Sequence, residues 1–220
     1  MCTVVDQLEA RQAMVSGQLL PNKITDERVI EALTSVSRDF FVPKDLKGVA
    51  YVDEDIEVSP GRFVMEPMVL AKLVMAANIQ KTDVVLELGC VTGYSSAVLG
   101  HLADAVVAVE EDKALAQKAD ALLQECGADN VVVVCCANSE GVEKQGPFPV
   151  IFINGGVEKI PQSLFSQLAD GGRMVFVRVE NGVGHGHIIT KNGKNIDRCD
   201  LFDANVKIVP GFKKETKFNF

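Results

Sequence analysis

The chain has 220 residues, 47% hydrophobic and 24% charged, the balance of an ordinary globular protein large enough for one good core. Its 30 acidic side chains outnumber the 22 basic ones, and the net charge of -8 argues against a nucleic-acid partner and against adhesion to anionic membranes. No apolar run approaches the roughly 20 residues that a membrane-spanning helix needs.

The first residues, Met1-Cys2-Thr3-Val4-Val5-Asp6, show no basic stretch followed by an apolar one, which predicts a cytoplasmic protein without a secretory signal. Cys2, Cys90, Cys126, Cys135, Cys136 and Cys199 lack C-x-x-C spacing, a pattern of reduced thiols rather than of disulfides or a metal site. The first forty residues read as helical. Thr25 is placed to cap a helix over 26–36, with Asp26 and Glu27 at its positive end and Val29, Leu33 and Val36 as its apolar stripe. Phe40-Phe41-Val42-Pro43 ends this part, and 44–62 reads as loop and short strand with a Pro60-Gly61 turn.

Pro67 suits the first turn of the next helix, where Leu70, Leu73, Val74 and Ala77 recur at helical spacing. A regular alternation follows: strand 84–88, helix 93–102, strand 105–109, helix 112–126, strand 131–135, strand 149–153, helix 161–168 and strand 173–179. Strand 131–135 is apolar throughout, the mark of a strand covered on both faces. Beyond 186 the signals are strand-like over 187–190, 198–202 and 206–209, with Asn192-Gly193 turning the first two into an antiparallel hairpin. The expected fold is α/β: a doubly wound, Rossmann-like sheet of about seven strands, mostly parallel with antiparallel edge strands, plus a helical N-terminal addition. One domain is expected over 1–220, made of a helical addition and substrate-side loop (1–62), a cofactor-binding core (63–180), and antiparallel strands with a tail (181–220).

The chemistry concentrates between the first core strand and its helix, in Glu87-Leu88-Gly89-Cys90-Val91-Thr92-Gly93-Tyr94. A dinucleotide fingerprint, G-x-G-x-x-G, needs glycines where this chain has Val91 and Tyr94, so that motif fails. The spacing acid-x-Gly-x-x-x-Gly remains. Gly89 permits a sharp turn and close approach of a cofactor to the backbone, and Gly93 lets the next helix pack close to the strand. Glu110 ends the second strand about twenty residues further on, where a carboxylate can accept hydrogen bonds from both hydroxyls of a ribose.

This loop resembles that of class I methyltransferases, which bind S-adenosylmethionine through acid-x-Gly-x-Gly-x-Gly and an acid at the end of the next strand. The resemblance implies Glu87, Gly89, Cys90, Val91, Gly93, Tyr94, Glu110, Glu111 and Asn138 as cofactor contacts. The flanks narrow it. Arg38-Asp39-Phe40-Phe41-Val42-Pro43, Ala50-Tyr51-Val52-Asp53, Gly61 to Pro67, Ala97-Val98-Leu99, and Ile160-Pro161 through Gly171-Gly172-Arg173 are similar, in order, to the protein-L-isoaspartate O-methyltransferase family. Membership implies methyl transfer from S-adenosylmethionine to the free α-carboxylate of an L-isoaspartyl residue in a damaged protein or peptide. The ester then closes to a succinimide, whose hydrolysis restores some normal linkage. Charge and residue spacing give no expectation of a metal, nucleic acid or membrane. The acceptor is already an anion and the leaving thioether is neutral, so alignment and exclusion of water matter more than acid–base groups.

Several positions depart from the family. Its Gly-Gln-Thr-Ile-Ser-Gln-Pro segment reads Gly61-Arg62-Phe63-Val64-Met65-Glu66-Pro67 here. Met65 removes a substrate-side hydroxyl, Glu66 repels an anionic substrate if it faces one, and Arg62 can supply a compensating charge. Val91 puts a branched side chain where the family has glycine. The family's Gly-Asp-Gly reads Cys136-Ala137-Asn138, with Asn138 able to take over part of the hydrogen bonding. Asp53, as a loop-orienting acid, and Asn154, after a strand on the cofactor side, complete the substrate-side candidates. Retained isoaspartyl methylation is the leading reading; another small acceptor, or a non-catalytic interaction or regulatory descendant, are the alternatives. Among smaller signals, His185-Gly186-His187 reads as a solvated glycine-rich turn rather than a metal site. Cys90 reads as a small filler, and Lys213, Lys214 and Lys217 as an exposed tail.

Overall fold

The computed structural model describes residues 4–214; Cys2 and Lys217 lie outside the described residues. Helix α1 (Val4–Met14) runs on through a π-helical turn over Val15–Leu19. Helix α2 (Glu27–Ser35) is capped by Asp26, not Thr25: the Asp26 carboxylate accepts from the Arg28 N–H at 2.9 Å and from its guanidinium. The acid one residue later than expected is the one whose oxygen reaches the free N–H groups of the first turn. Two 3₁₀ turns, Arg38–Phe40 and Lys44–Val49, lead to an antiparallel hairpin of β1 (Ile56–Ser59) and β2 (Arg62–Val64).

The main body is α3 (Pro67–Ala77), β3 (Val84–Leu88), α4 (Tyr94–Leu102), β4 (Ala105–Glu110), α5 (Lys113–Glu125), β5 (Val131–Cys135), β6 (Phe148–Val157), α6 (Gln162–Gln167), β7 (Leu168–Glu180), β8 (Val183–Asn192) and β9 (Asn195–Asp203). The sheet order is β5-β4-β3-β6-β7-β8-β9, with β3 to β7 parallel and β8 and β9 antiparallel. Period-two alternation divides the strands between two cores. Val85, Val150, Phe152 and Val175 pack with α3, α4 and the N-terminal helices, whereas Leu86, Leu88, Ile151 and Ile153 pack with Leu164, Val209 and Phe212.

Three further sequence expectations change. Strand β5 is the sheet's edge, so its apolar run is half uncovered, with Val132 59% exposed. His185 and His187 lie inside β8 rather than in a turn, and their Nδ1 atoms meet Asp203 at 2.9 Å and Asp200 at 2.6 Å on β9. Residues 206–209 form no edge strand. They cross the ends of the parallel strands, held by Gly156 N–H to Lys207 O at 2.8 Å and Val209 N–H to Gly156 O at 2.9 Å. The order reverses between β3 and β6, so their carboxyl ends flank the crevice where open α/β sheets bind ligands.

Candidate active site

The crevice floor is the turn after β3. Gly89 and Gly93 have φ of +83° and +91°, the left-handed region that glycine enters without strain. A Cβ on Gly89 would sit 2.8 Å from Val209 Cγ1, and one on Gly93 would sit 3.0 Å from Leu123. Gly93 therefore lets α4 approach α5, rather than the strand. Val91 shares the left-handed conformation at φ +57°, although it is β-branched.

Beneath the turn, Glu87 is fully buried and accepts the hydroxyls of Ser95 and Ser96. Burial pushes its carboxyl up to about 7 against the pull of those two hydroxyls. Asn154 joins this layer by donating to Gly89 O at 3.1 Å and Ser95 Oγ at 2.9 Å. Glu87 thus braces the loop from below instead of facing the crevice. Burial also pushes the Cys90 thiol well up, reinforced by Glu87, so it remains a protonated filler.

Glu110 ends β4 fully buried. Its Oε1 accepts from Asp112 N–H at 2.9 Å, and its Oε2 accepts from Val91 N–H at 3.0 Å and from the Arg62 guanidinium. Burial raises its carboxyl, opposed by these donors. Arg62, on the hairpin, is only 8% exposed, and its cation sits on the carboxylate that the sequence assigns to a ribose. The cavity lined in part by Arg62, Met65, Gly89, Val91, Asn154 and Val209 measures about 30 Å³. That is the space of about one water, some ten times less than a small-molecule pocket.

The upper wall hangs on Arg38, which is fully buried. It donates to Ala50 O at 2.6 Å, Met65 O at 2.6 Å and Val64 O at 3.3 Å, and stands 5.1 Å from the centre of the Tyr94 ring. Tyr94 itself is buried against Phe41 and away from the main cavity. Met65 points inward and is 4% exposed. Asp53 is exposed and does not line the cavity; Asp55 does, and accepts the Glu66 N–H at 2.9 Å. Burial, then Asp55 and Asp53, pushes the half-buried Glu66 up to about 7. Asn138 is fully buried, donating to Glu111 Oε2 at 3.3 Å and Pro210 O at 3.5 Å. The Oδ1 atoms of Asn138 and Asn154 have no hydrogen-bond partner among the described residues.

Comparison with known proteins decides what this crevice belongs to. A family model described as protein-L-isoaspartate(D-aspartate) O-methyltransferase matches residues 9–210. The protein-L-isoaspartate O-methyltransferase of Koribacter versatilis is 35% identical over 194 residues, 88% of this chain and 87% of that one. The chain belongs to the protein-L-isoaspartate O-methyltransferase family. The Protochlamydia amoebophila member is 38% identical over 162 residues, covering 74% of this chain and 77% of its own. The fold recurs in a solved protein-L-isoaspartate O-methyltransferase with a TM-score of 0.81 at 23% identity, covering 91% of this chain and 66% of that one. It recurs again in a putative Plasmodium falciparum member solved in complex with S-adenosyl-L-homocysteine, with a TM-score of 0.76 at 18% identity and coverage of 92% and 97%.

Within the isoaspartyl methyltransferase frame, some of the departures converge on one volume, while Glu66 and Cys136-Ala137-Asn138 lie outside it. Arg62, Met65 and Val91 all line the small cavity. Sequence reasoning missed Arg38, Asp55, Lys207 and Val209 as parts of the site. Nothing local in the sequence pointed to Asp55, Lys207 or Val209.

Proposed function

We propose that this protein transfers a methyl group from S-adenosylmethionine to the free carboxylate of L-isoaspartyl residues in damaged proteins or peptides. The observation that carries this reading is the family match over residues 9–210, which spans the whole crevice. The residues present suit the cofactor in kind. Gly89 leaves the backbone open, Glu110 is a carboxylate at the end of β4, and the two buried, unpartnered amide oxygens offer acceptors, Asn154 for an ammonium and Asn138 for an amino group on a purine. When bound, S-adenosylmethionine supplies a methyl on a cationic sulfur to an acceptor that is already anionic. This chain's residues therefore need no general base. Their work is to align the acceptor and exclude water, for which Phe63, Met65, Val206 and Val209 provide apolar walls.

We also infer a cytoplasmic location and an isoaspartyl-bearing polypeptide as the partner, on one domain whose 1–62 segment covers the 63–180 core. The described cysteines are all free, which suits a reducing compartment, and no helix among the described residues is long and apolar enough to cross a membrane. Labelled S-adenosylmethionine with an isoaspartyl peptide tests the reading; a base-labile methyl ester on the peptide is expected. Cofactor binding without ester would remove the acceptor. The Arg62–Glu110 pair favours a second reading, a descendant without methyl transfer, and that reading expects no binding of S-adenosylhomocysteine.

A further inference from the structure

We propose that Arg62 serves two anions in turn: it holds Glu110 while the crevice is closed, and it binds the acceptor's carboxylate once Glu110 has turned to the cofactor's ribose. The inference rests on the methyl-transfer reading above and names the residue that gives it acceptor specificity.

Glu110 has little capacity to spare. An ionised carboxylate accepts about four hydrogen bonds, and three are in place: two from the backbone N–H groups of Asp112 and Val91, and one from Arg62. The backbone donors lie in the turns after β3 and β4, which the Gly89 and Cys90 N–H bonds to Val109 O and the Asp112 cap of α5 tie to the main sheet. Arg62 sits on a two-stranded hairpin outside the main sheet, so it is the partner that can leave. Ribose hydroxyls bound to Glu110 must take its place.

Arg62 cannot then simply remain where it is. A guanidinium that is 8% exposed and has lost its counter-charge is strongly destabilising. Two anions are within the same cavity wall or enter it. Asp55 lines the cavity, but it already accepts the Glu66 N–H, and burial raises its carboxyl. The other is the acceptor, which arrives carrying the charge that Arg62 has lost. The planar guanidinium matches a carboxylate with two parallel hydrogen bonds. No competing group does this work among the described residues. Met65 stands where the family has its serine, Arg38 is committed to three carbonyls, and Lys207 Nζ lies 5.8 Å from the centre of the Phe63 ring. Exchange of Arg62 between the two anions makes binding ordered, with the acceptor admitted after the cofactor.

The test is calorimetric titration of an isoaspartyl peptide into the full chain, with and without saturating S-adenosylhomocysteine, for wild type, Arg62→Gln and Arg62→Lys. Wild type is expected to bind the peptide at least about tenfold tighter when S-adenosylhomocysteine is present, equivalent to about 1.4 kcal/mol, with the reciprocal gain for S-adenosylhomocysteine. Arg62→Gln is expected to bind S-adenosylhomocysteine tighter than wild type, to bind the peptide weakly, and to lose the coupling. Arg62→Lys, which keeps the buried charge without the two-pronged geometry, is expected to retain part of it, and it carries the test if Arg62→Gln fails to fold by circular dichroism. Equal peptide affinity with and without S-adenosylhomocysteine in wild type overturns the proposal alone. So does full coupling in Arg62→Gln, the result expected if the freed arginine falls on Asp55 instead. Failure of every variant to bind S-adenosylhomocysteine overturns the methyl-transfer reading and this proposal with it.

Discussion

Val91 offers a sharp test of how the cofactor turn is built, because its backbone and its side chain pull in opposite directions. It holds φ at +57° and is 4% exposed. An L-residue in that conformation costs about 1–2 kcal/mol, and glycine does not bear this cost. Val91→Ala keeps the strain and loses apolar burial. Val91→Gly loses slightly more burial but relieves the strain, while the freer unfolded chain costs about 0.5–1 kcal/mol. Val91→Gly is therefore expected to be more stable than Val91→Ala by about 0.5–1 kcal/mol. Val98, fully buried in α4, is the control: there the glycine variant should be the weaker by about 1 kcal/mol. The two glycine-minus-alanine gaps then differ by about 1.5–2 kcal/mol. Urea unfolding followed by circular dichroism, with a shared slope, reads the four variants. If glycine is weaker than alanine by the same margin at both positions, Val91 is not strained and the description of the turn is wrong.

Three further predictions rest on other parts of the site. Glu87 titrates at about 7 in the folded chain against an ordinary 4.5, so the folded state holds a proton that the unfolded state releases. Its stabilising effect is present below pH 4.5 and lost as pH rises toward 7, by roughly 3 kcal/mol. Glu87→Gln should flatten unfolding free energy over that window, and an unchanged slope would assign the titration to another group such as Glu66. Arg38→Met strips the partner from the carbonyls of Ala50, Val64 and Met65. It should lower stability by at least about 3 kcal/mol in denaturant titration, and a loss under about 1 kcal/mol would mean water replaces it. Met65→Ser restores a hydroxyl to the cavity wall and should raise turnover of an isoaspartyl peptide several-fold; unchanged or lower turnover in a folded variant would show that the missing hydroxyl is not what limits the reaction.

The parallel core was legible because buried strands and amphipathic helices announce themselves over a few residues. Val84 to Leu88, Ala105 to Val109 and the helix that follows each could be placed from local pattern alone. Glu110 could be placed too, since the end of a strand fixes where its last side chain stands. What could not be read were relations between distant segments. Arg62 and Glu110 meet from separate elements, and no local rule distinguishes an arginine that faces a substrate from one that neutralises a buried acid. The apolar run of 131–135 looked doubly covered because hydropathy does not report whether a strand has a neighbour. The His185–His187 stretch looked like a turn because Gly184 and Gly186 mimic one. Those glycines are instead close-packed in β8, where a Cβ on Gly186 would lie 2.5 Å from the Phe202 ring. Residues 206–209 had strand-like composition but spend their backbone groups on Gly156, at the ends of strands rather than beside one.

That last segment has a bearing on how the protein can change over time. Part of its hold on the sheet is main chain: Lys207 O and the Val209 N–H meet Gly156, and Phe212 O receives the N–H groups of Glu158 and Lys159, beside the buried side chains of Val206, Val209 and Phe212. Such bonds are indifferent to which side chains the segment carries. Val206 and Lys207 both face the cavity, but Val206 is buried in the core, whereas Lys207 is exposed and its ammonium stands over the Phe63 ring. Lys207 can be exchanged with little loss of fold, so the acceptor's neighbourhood is open to adaptation at that position, whereas Val206 is bound into the core and Val209 is held to its size by Gly89 and Gly155. Diversity in which polypeptides this lineage accepts should accumulate there first.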